Sequence, residues 1–129
     1  MLYKNIRLLV LIISVATILS GLVQMIVPGF VLNFAGAQIT PTTSHFFAIV
    51  GMFMTLFGCL MVNTIYNVTP SPSTVLWCAF QKLGASIAVF LGIIHGIFSV
   101  PAAGVALFDL CSGILFFYYI KFLKTDEAG

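Results

Sequence analysis

A chain of 129 residues that is 61% hydrophobic and 6% charged, with a mean hydropathy of +1.20, lies far outside the soluble range, where about a quarter of residues carry charge. Its net charge of +2 includes no basic patch interleaved with aromatics to track a phosphate backbone, which excludes nucleic acid as a partner. The three cysteines, Cys59, Cys78 and Cys111, are odd in number and lack C-x-x-C spacing, so neither a disulfide framework nor a structural zinc site is expected.

A hydrocarbon core about 30 Å thick needs roughly 20 mostly apolar residues per helix. Four stretches meet that requirement, residues 6–27, 44–66, 74–99 and 104–123. They predict an all-α membrane protein, one domain over 1–129, whose four transmembrane helices form an up-down-up-down bundle. The first stretch opens on Lys4 and Arg7 like a signal peptide, but its apolar run is long and no Ala-x-Ala site follows, so a retained anchor is expected.

The first span carries the row Ser14, Thr17, Gly21 and Gln24, all on one helical face, and stops at Pro28-Gly29. The segment 28–43 is uncharged, rich in Phe30, Val31, Leu32, Phe34 and Ile39, and too short to span. It is expected to lie at the outer interface or fold over the bundle mouth. Pro41-Thr42-Thr43-Ser44 signals the second span, which opens on His45 and carries Gly51, Thr55, Cys59 and Asn63 at four-residue spacing. In the third, Ser73 or Thr74 is the expected N-cap.

Gly84, Ala88, Gly92 and Gly96 then recur every four residues in the third span, a small-residue stripe ending in G-x-x-x-G and expected to pack against another helix. Lys82 is expected to snorkel to the headgroups as an interfacial anchor, with no acidic residue in the helices at its level to pair with it. A short link at 100–103, containing Pro101, makes the third and fourth spans a tight hairpin. Asp109 follows early in the fourth span, and Lys121 and Lys124 close it.

All five cations fall on one side of this topology, which predicts cytoplasmic N- and C-termini. Tyr3, Tyr66, Trp77, Tyr118 and Tyr119 lie at the same level, as half of an interfacial aromatic belt. On the outer side, counting about 1.5 Å per residue places His95 and Asp109 at matching depth, roughly 6 to 9 Å below the helix ends. Gln24 and His45 lie near that level. Intramembrane ionisable residues face the bundle and find partners, so Asp109 is expected to pair with His95; Asp109, His95 and Gln24 either hydrogen-bond across helices and fix the register of the bundle or, with His45, are the candidate binding or proton-relay residues. His45, His95 and Asp109 would also suit a transition metal, although no motif such as H-E-x-x-H supports one.

Three segments, "LSGLVQMIVPGFVLNFAGA", "FFAIVGMFMTLFGCLMV" and the region of Asp109, resemble the small four-helix bacterial membrane proteins of the DoxX-like group. That group often has an arginine early in its second helix, where this chain has His45 and Phe46. The resemblance implies a four-helix fold in a bacterial inner membrane; functions in the group are mostly unassigned, with some members associated with quinone-linked redox complexes.

No serine motif in a strand-turn-helix context is present, which argues against a nucleophile-and-base hydrolase, and the leading expectation, drawn from the polar layer and the apolar loop over it, is non-enzymatic. It is a membrane protein that binds a lipid or quinone-like small molecule, a second copy of itself or a subunit of a membrane complex through the polar layer. The first alternative is a proton-coupled oligomeric transporter using His95 and Asp109; the second is a membrane redox, haem or metal protein. The sequence names no cofactor.

Overall fold

A computed structural model describes the backbone of residues 2–128 and the side chains of residues 2–124. It contains α1 (Leu2–Ile26), α2 (Pro28–Phe34), α3 (Pro41–Ile65), α4 (Pro72–Ile94) and α5 (Ala102–Ala128). Four of these, α1, α3, α4 and α5 through Lys124, are long and apolar enough to cross a bilayer, making the chain a multi-pass membrane protein. They alternate in direction, so both termini and the α3–α4 loop share one end, here the terminal end. The opposite, or loop, end carries α2 and the α4–α5 link.

Helix boundaries depart from the sequence reading where caps act. The helix α3 starts at Pro41 rather than 44, because the Thr40 hydroxyl accepts from the Thr43 amide at 3.1 Å while the Thr43 hydroxyl accepts from the Thr40 amide at 2.8 Å. In α4 the N-cap is Ser71, not Ser73 or Thr74. Both helices place proline in the first turn, where its missing N–H has no intrahelical partner to lose. The apolar run predicts that this helix continues to 99. It ends at Ile94 because Gly96 takes φ +75°, which lets the Ile97 and Gly96 amides close back on the carbonyls of Gly92 and Ile93 at 2.8 and 3.1 Å.

The segment 28–43, read as an apolar loop, contains the seven-residue α2, whose Leu32 is buried. Its C-terminus repeats the same closure at Gly36, φ +69°. The Ala35 carbonyl then accepts from both the Ser99 amide, at 2.8 Å, and the Ser99 hydroxyl, at 3.1 Å. The helix α2 is thereby tied to the α4–α5 link as well as packed on α1 and α3.

The bundle is built from two close pairs, α1 with α3 and α4 with α5. In the first pair glycines permit backbone contact: a Cβ on Gly21 would meet the Gly51 carbonyl oxygen at 2.7 Å, and one on Gly58 would meet the Ser14 carbonyl oxygen at 3.0 Å. The predicted row of α1 is confirmed, with Ser14, Thr17, Gly21 and Gln24 all buried. Of the α3 row, Gly51 and Thr55 face α1, whereas Cys59 and Asn63 are exposed and Gly58 takes the next contact. In the second pair Gly113 lies against Leu83 and the Ala79 carbonyl, and Ser86 donates to the Ala106 carbonyl at 2.8 Å.

Where the two pairs meet, packing is uneven along the bundle axis. The apolar core, including Ile6, Val10, Met61, Val75, Phe116 and Tyr119, lies in the terminal half. Tyr119 belongs to this core, fully buried and stacked on Tyr3 at 6.1 Å between ring centroids, rather than to an interfacial belt. In the loop half α1 and α5 bound an open space beneath α2.

The stripe Gly84, Ala88, Gly92 and Gly96 does not pack two helices of this chain together. Gly84, Ala88 and Gly96 are exposed, and an added Cβ on Gly84 or Gly96 would meet nothing within 4 Å. Gly92 is buried, but by the Phe98 ring that folds back beyond the helix end. The inward face of α4 is instead Val75, Cys78, Ala79, Lys82 and Ser86.

Candidate functional site

Between the apolar core and α2 the interior turns polar, and its centre is Lys82. This residue is the eleventh of 23 in α4, the middle of the span, and only 4% exposed. An ammonium there needs partners, and two other helices supply them. The Lys82 Nζ donates to the Thr17 hydroxyl of α1 at 2.7 Å and lies 3.2 Å from Asp109 Oδ1 of α5. It also sits 5.5 Å from the centroid of the Phe108 ring, within cation–π range. Thr17 is oriented to accept because its own proton goes to the Ile13 carbonyl at 2.9 Å. Charge, hydroxyl and ring therefore converge on one ammonium.

This pair overturns the expectation that Lys82 snorkels to the terminal-side headgroups without an acidic partner. Counting from the loop end, Lys82 and Asp109 differ in backbone depth by about 8 Å at 1.5 Å per residue. The flexible four-carbon stem of lysine crosses that difference toward the loop end. Lys82 is thus the site residue missing from the candidate set. Its signal was present in the sequence: Cys78, Lys82 and Ser86 recur at four-residue spacing, the small and polar face that an interior-facing helix presents in lipid.

Above the ion pair lies a cavity of about 600 Å³. Lys82, Asp109, Thr17, Ser20 and Gln24 form its polar part, and residues such as Val23, Phe34, Met54, Val105 and Phe108 form its apolar walls. Pro101 of the α4–α5 link, Gly104 in the first turn of α5, and Val31 and Phe34 from α2 border it toward the loop end. A volume in the range of about 300 to 1,000 Å³, mostly apolar with a few convergent polar groups, is that of a small-molecule site.

The predicted site residues divide into two groups. Gln24 and Asp109 both line this cavity, and Gln24 is anchored by donating from Nε2 to the Phe47 carbonyl of α3 at 2.9 Å. His45 and His95 do not line it; both are exposed, His45 in the first turns of α3 and His95 as the C-cap of α4. Asp109 directs its carboxylate to Lys82 in place of the expected His95. The physical reason is the early end of α4 at Gly96, which leaves His95 at a helix terminus. Among the described residues, no three His, Cys, Asp or Glu side chains gather closely enough to hold a metal ion, so His45, His95 and Asp109 do not form the metal set the sequence suggested.

The arrangement is electrically balanced, one cation with one carboxylate, yet unsymmetrical in its hydrogen bonding. Lys82 has three N–H donors, and Thr17 and Asp109 account for two. Asp109 Oδ1 takes the lysine, leaving the second carboxylate oxygen as an acceptor. The polar end of the cavity thus offers both a donor and an acceptor to a guest. No protein-family model matches the chain, and no curated protein and no solved structure matches it either.

Proposed function

We propose that the chain is a non-enzymatic binding protein for a lipid-soluble small molecule, held in the cavity between α1 and α5 with its polar end on Lys82 and Asp109. The observation that carries this reading is the position of a charge pair at the polar end of an otherwise apolar cavity of about 600 Å³. The space is open on one side, where Leu19, Val23, Phe34, Val105 and Phe108 are exposed, so a guest dissolved among the acyl chains can enter it directly. The charge pair gives the guest a fixed orientation and the apolar walls give it affinity. A neutral polar head that both accepts and donates a hydrogen bond suits the balanced pair better than a fully charged one, which would leave a net charge buried.

The apolar core closes the bundle on the terminal side of the ion pair, which favours a binding site over a through-path for ions or protons. Lys4, Arg7, Lys121 and Lys124 all remain at the terminal end, and the excess of cations there supports cytoplasmic termini in a cell inner membrane.

Adding fractionated membrane lipids back to delipidated protein and following thermal unfolding tests the proposal. A ligand at 100 times its Kd stabilises by about 2.7 kcal/mol. One fraction should raise the melting temperature of the wild type and leave the double variant Lys82→Met with Asp109→Leu unmoved. Equal shifts in both proteins, or no shift with any fraction, would contradict the proposed site.

A further inference from the structure

A second cavity, of about 430 Å³, opens at the terminal end of the bundle, lined by Tyr3, Arg7, Ile65, Asn67, Thr69 and Leu123 among others. The central cavity pairs its cation with a carboxylate, whereas here the described lining residues include the cation Arg7 and no carboxylate. Arg7 is held in place from two directions. One of its Nη atoms donates to the Ile65 carbonyl at 3.2 Å, and its guanidinium carbon lies 5.3 Å from the centroid of the Tyr66 ring.

Ile65 is the last residue of α3, so its carbonyl has no intrahelical partner, and one N–H of Arg7 satisfies it. A guanidinium carries five N–H donors in a planar fork. The contact with α3 therefore fixes the orientation of the fork without exhausting it. Asn67 and Thr69, on the α3–α4 loop, add an amide and a hydroxyl to the same cavity wall.

The level of this cavity matters as much as its chemistry. Arg7 lies five residues inside the start of α1, about 8 Å at 1.5 Å per residue, which places its head at the boundary between acyl chains and headgroups. Lys4, Lys121 and Lys124 lie at the same end of the bundle. A basic pocket between helices at this depth matches a phosphate carried on acyl chains.

We infer that this cavity binds the phosphate of an anionic phospholipid headgroup, with Arg7 as the anchoring fork and Asn67 and Thr69 as further donors. The site is separate from the central cavity, and its occupation does not depend on what Lys82 and Asp109 hold. Bound lipid there would brace the α3–α4 loop against the start of α1, linking the two helix pairs at the terminal end.

Native mass spectrometry in non-ionic detergent tests this inference, with phosphatidylglycerol or phosphatidylcholine of the same acyl chains as probes. The wild type should retain phosphatidylglycerol about tenfold more strongly, because both phosphodiesters offer Arg7 the same anion while phosphatidylcholine also brings its quaternary ammonium against the cationic end of the bundle. Arg7→Gln should abolish that preference, Arg7→Lys should keep part of it, and Thr69→Ala, in the exposed loop, should weaken it without touching the Arg7–Ile65 contact. Lys4→Gln should leave it within about twofold, as for an exposed, screened charge. Displacement of the lipid by excess inorganic phosphate would assign the recognition to the anion itself, and retention would assign it to the headgroup on its chains; both keep Arg7 as the site. A preference unchanged in Arg7→Gln, or lost equally in Lys4→Gln, would overturn the inference in favour of diffuse surface charge.

Discussion

Replacing Gly21 by alanine puts a single methyl group where α1 and α3 touch backbone to backbone. The added carbon would stand 2.7 Å from the Gly51 carbonyl oxygen and 2.9 Å from the Thr55 amide nitrogen. Ordinary contact begins at 3.4 Å, so the shortfall is about 0.7 Å against atoms that no rotamer change can move. The pair must separate or tilt, and overpacking of this kind costs about 1 to 3 kcal/mol. Gly84→Ala supplies the matched control in α4: the same methyl meets nothing within 4 Å, and exchanging glycine for alanine in a helix gains up to about 1 kcal/mol. Unfolding of the two variants in mixed micelles of increasing SDS fraction, followed by circular dichroism, should therefore shift in opposite directions. A loss of stability in Gly84→Ala as large as in Gly21→Ala would refute the helix rotation described here and show that the exposed stripe of α4 is itself packed, against another copy of the chain.

Removing one member of the central ion pair should cost more than removing both: Lys82→Met alone strands the Asp109 carboxylate, and a double-mutant cycle with Asp109→Leu in a bilayer should give a coupling of about 1 to 2 kcal/mol, against additivity within error if the residues act separately. Thr17→Val keeps the shape but removes an acceptor from Lys82, and should cost about 1 kcal/mol in the same assay. Thr40→Ala removes half of the reciprocal cap on α3 and should destabilise by about 1 kcal/mol, visible as fraying of α3 in hydrogen exchange rather than as global unfolding. An impermeant thiol reagent applied to intact cells should label cysteine placed at Gln38 and not at Asn67; the opposite pattern would reverse the proposed orientation.

The parts of this architecture that follow from periodicity and hydropathy were legible in the sequence. The four spans are marked by their apolar length, and the inward face of α1 by Ser14, Thr17, Gly21 and Gln24, because in lipid small and polar residues are the ones that gain from facing protein. Asp109 and Gln24 were identified for the same reason. What periodicity could not supply was the reach and rotation of individual side chains. Lys82 was placed by the depth of its Cα, while its ammonium sits well away from that level. The stripe of α4 fits a packing motif as well as the face that does pack, and only the need to partner Lys82 inside the bundle distinguishes the two. His95 was assigned a depth by assuming that α4 runs to 99; the αL geometry at Gly96 ends the helix first, a local backbone event that a hydrophobic run conceals.

The central claim is that the cavity above Lys82 and Asp109 is occupied by a small molecule, and Gly104 gives direct access to it. This residue borders the cavity, and a Cβ built on it meets nothing within 4 Å, so Gly104→Phe puts a ring at the cavity's border without pressing on the bundle at that point. Native mass spectrometry of the gently purified wild type and of Gly104→Phe, with matched unfolding curves as a check on the fold, makes the comparison. The account predicts a non-protein mass on the wild type, released as one defined lipid-soluble compound and missing from Gly104→Phe. The same compound bound equally to both proteins would contradict it, as would a wild type carrying nothing but bulk lipid and detergent.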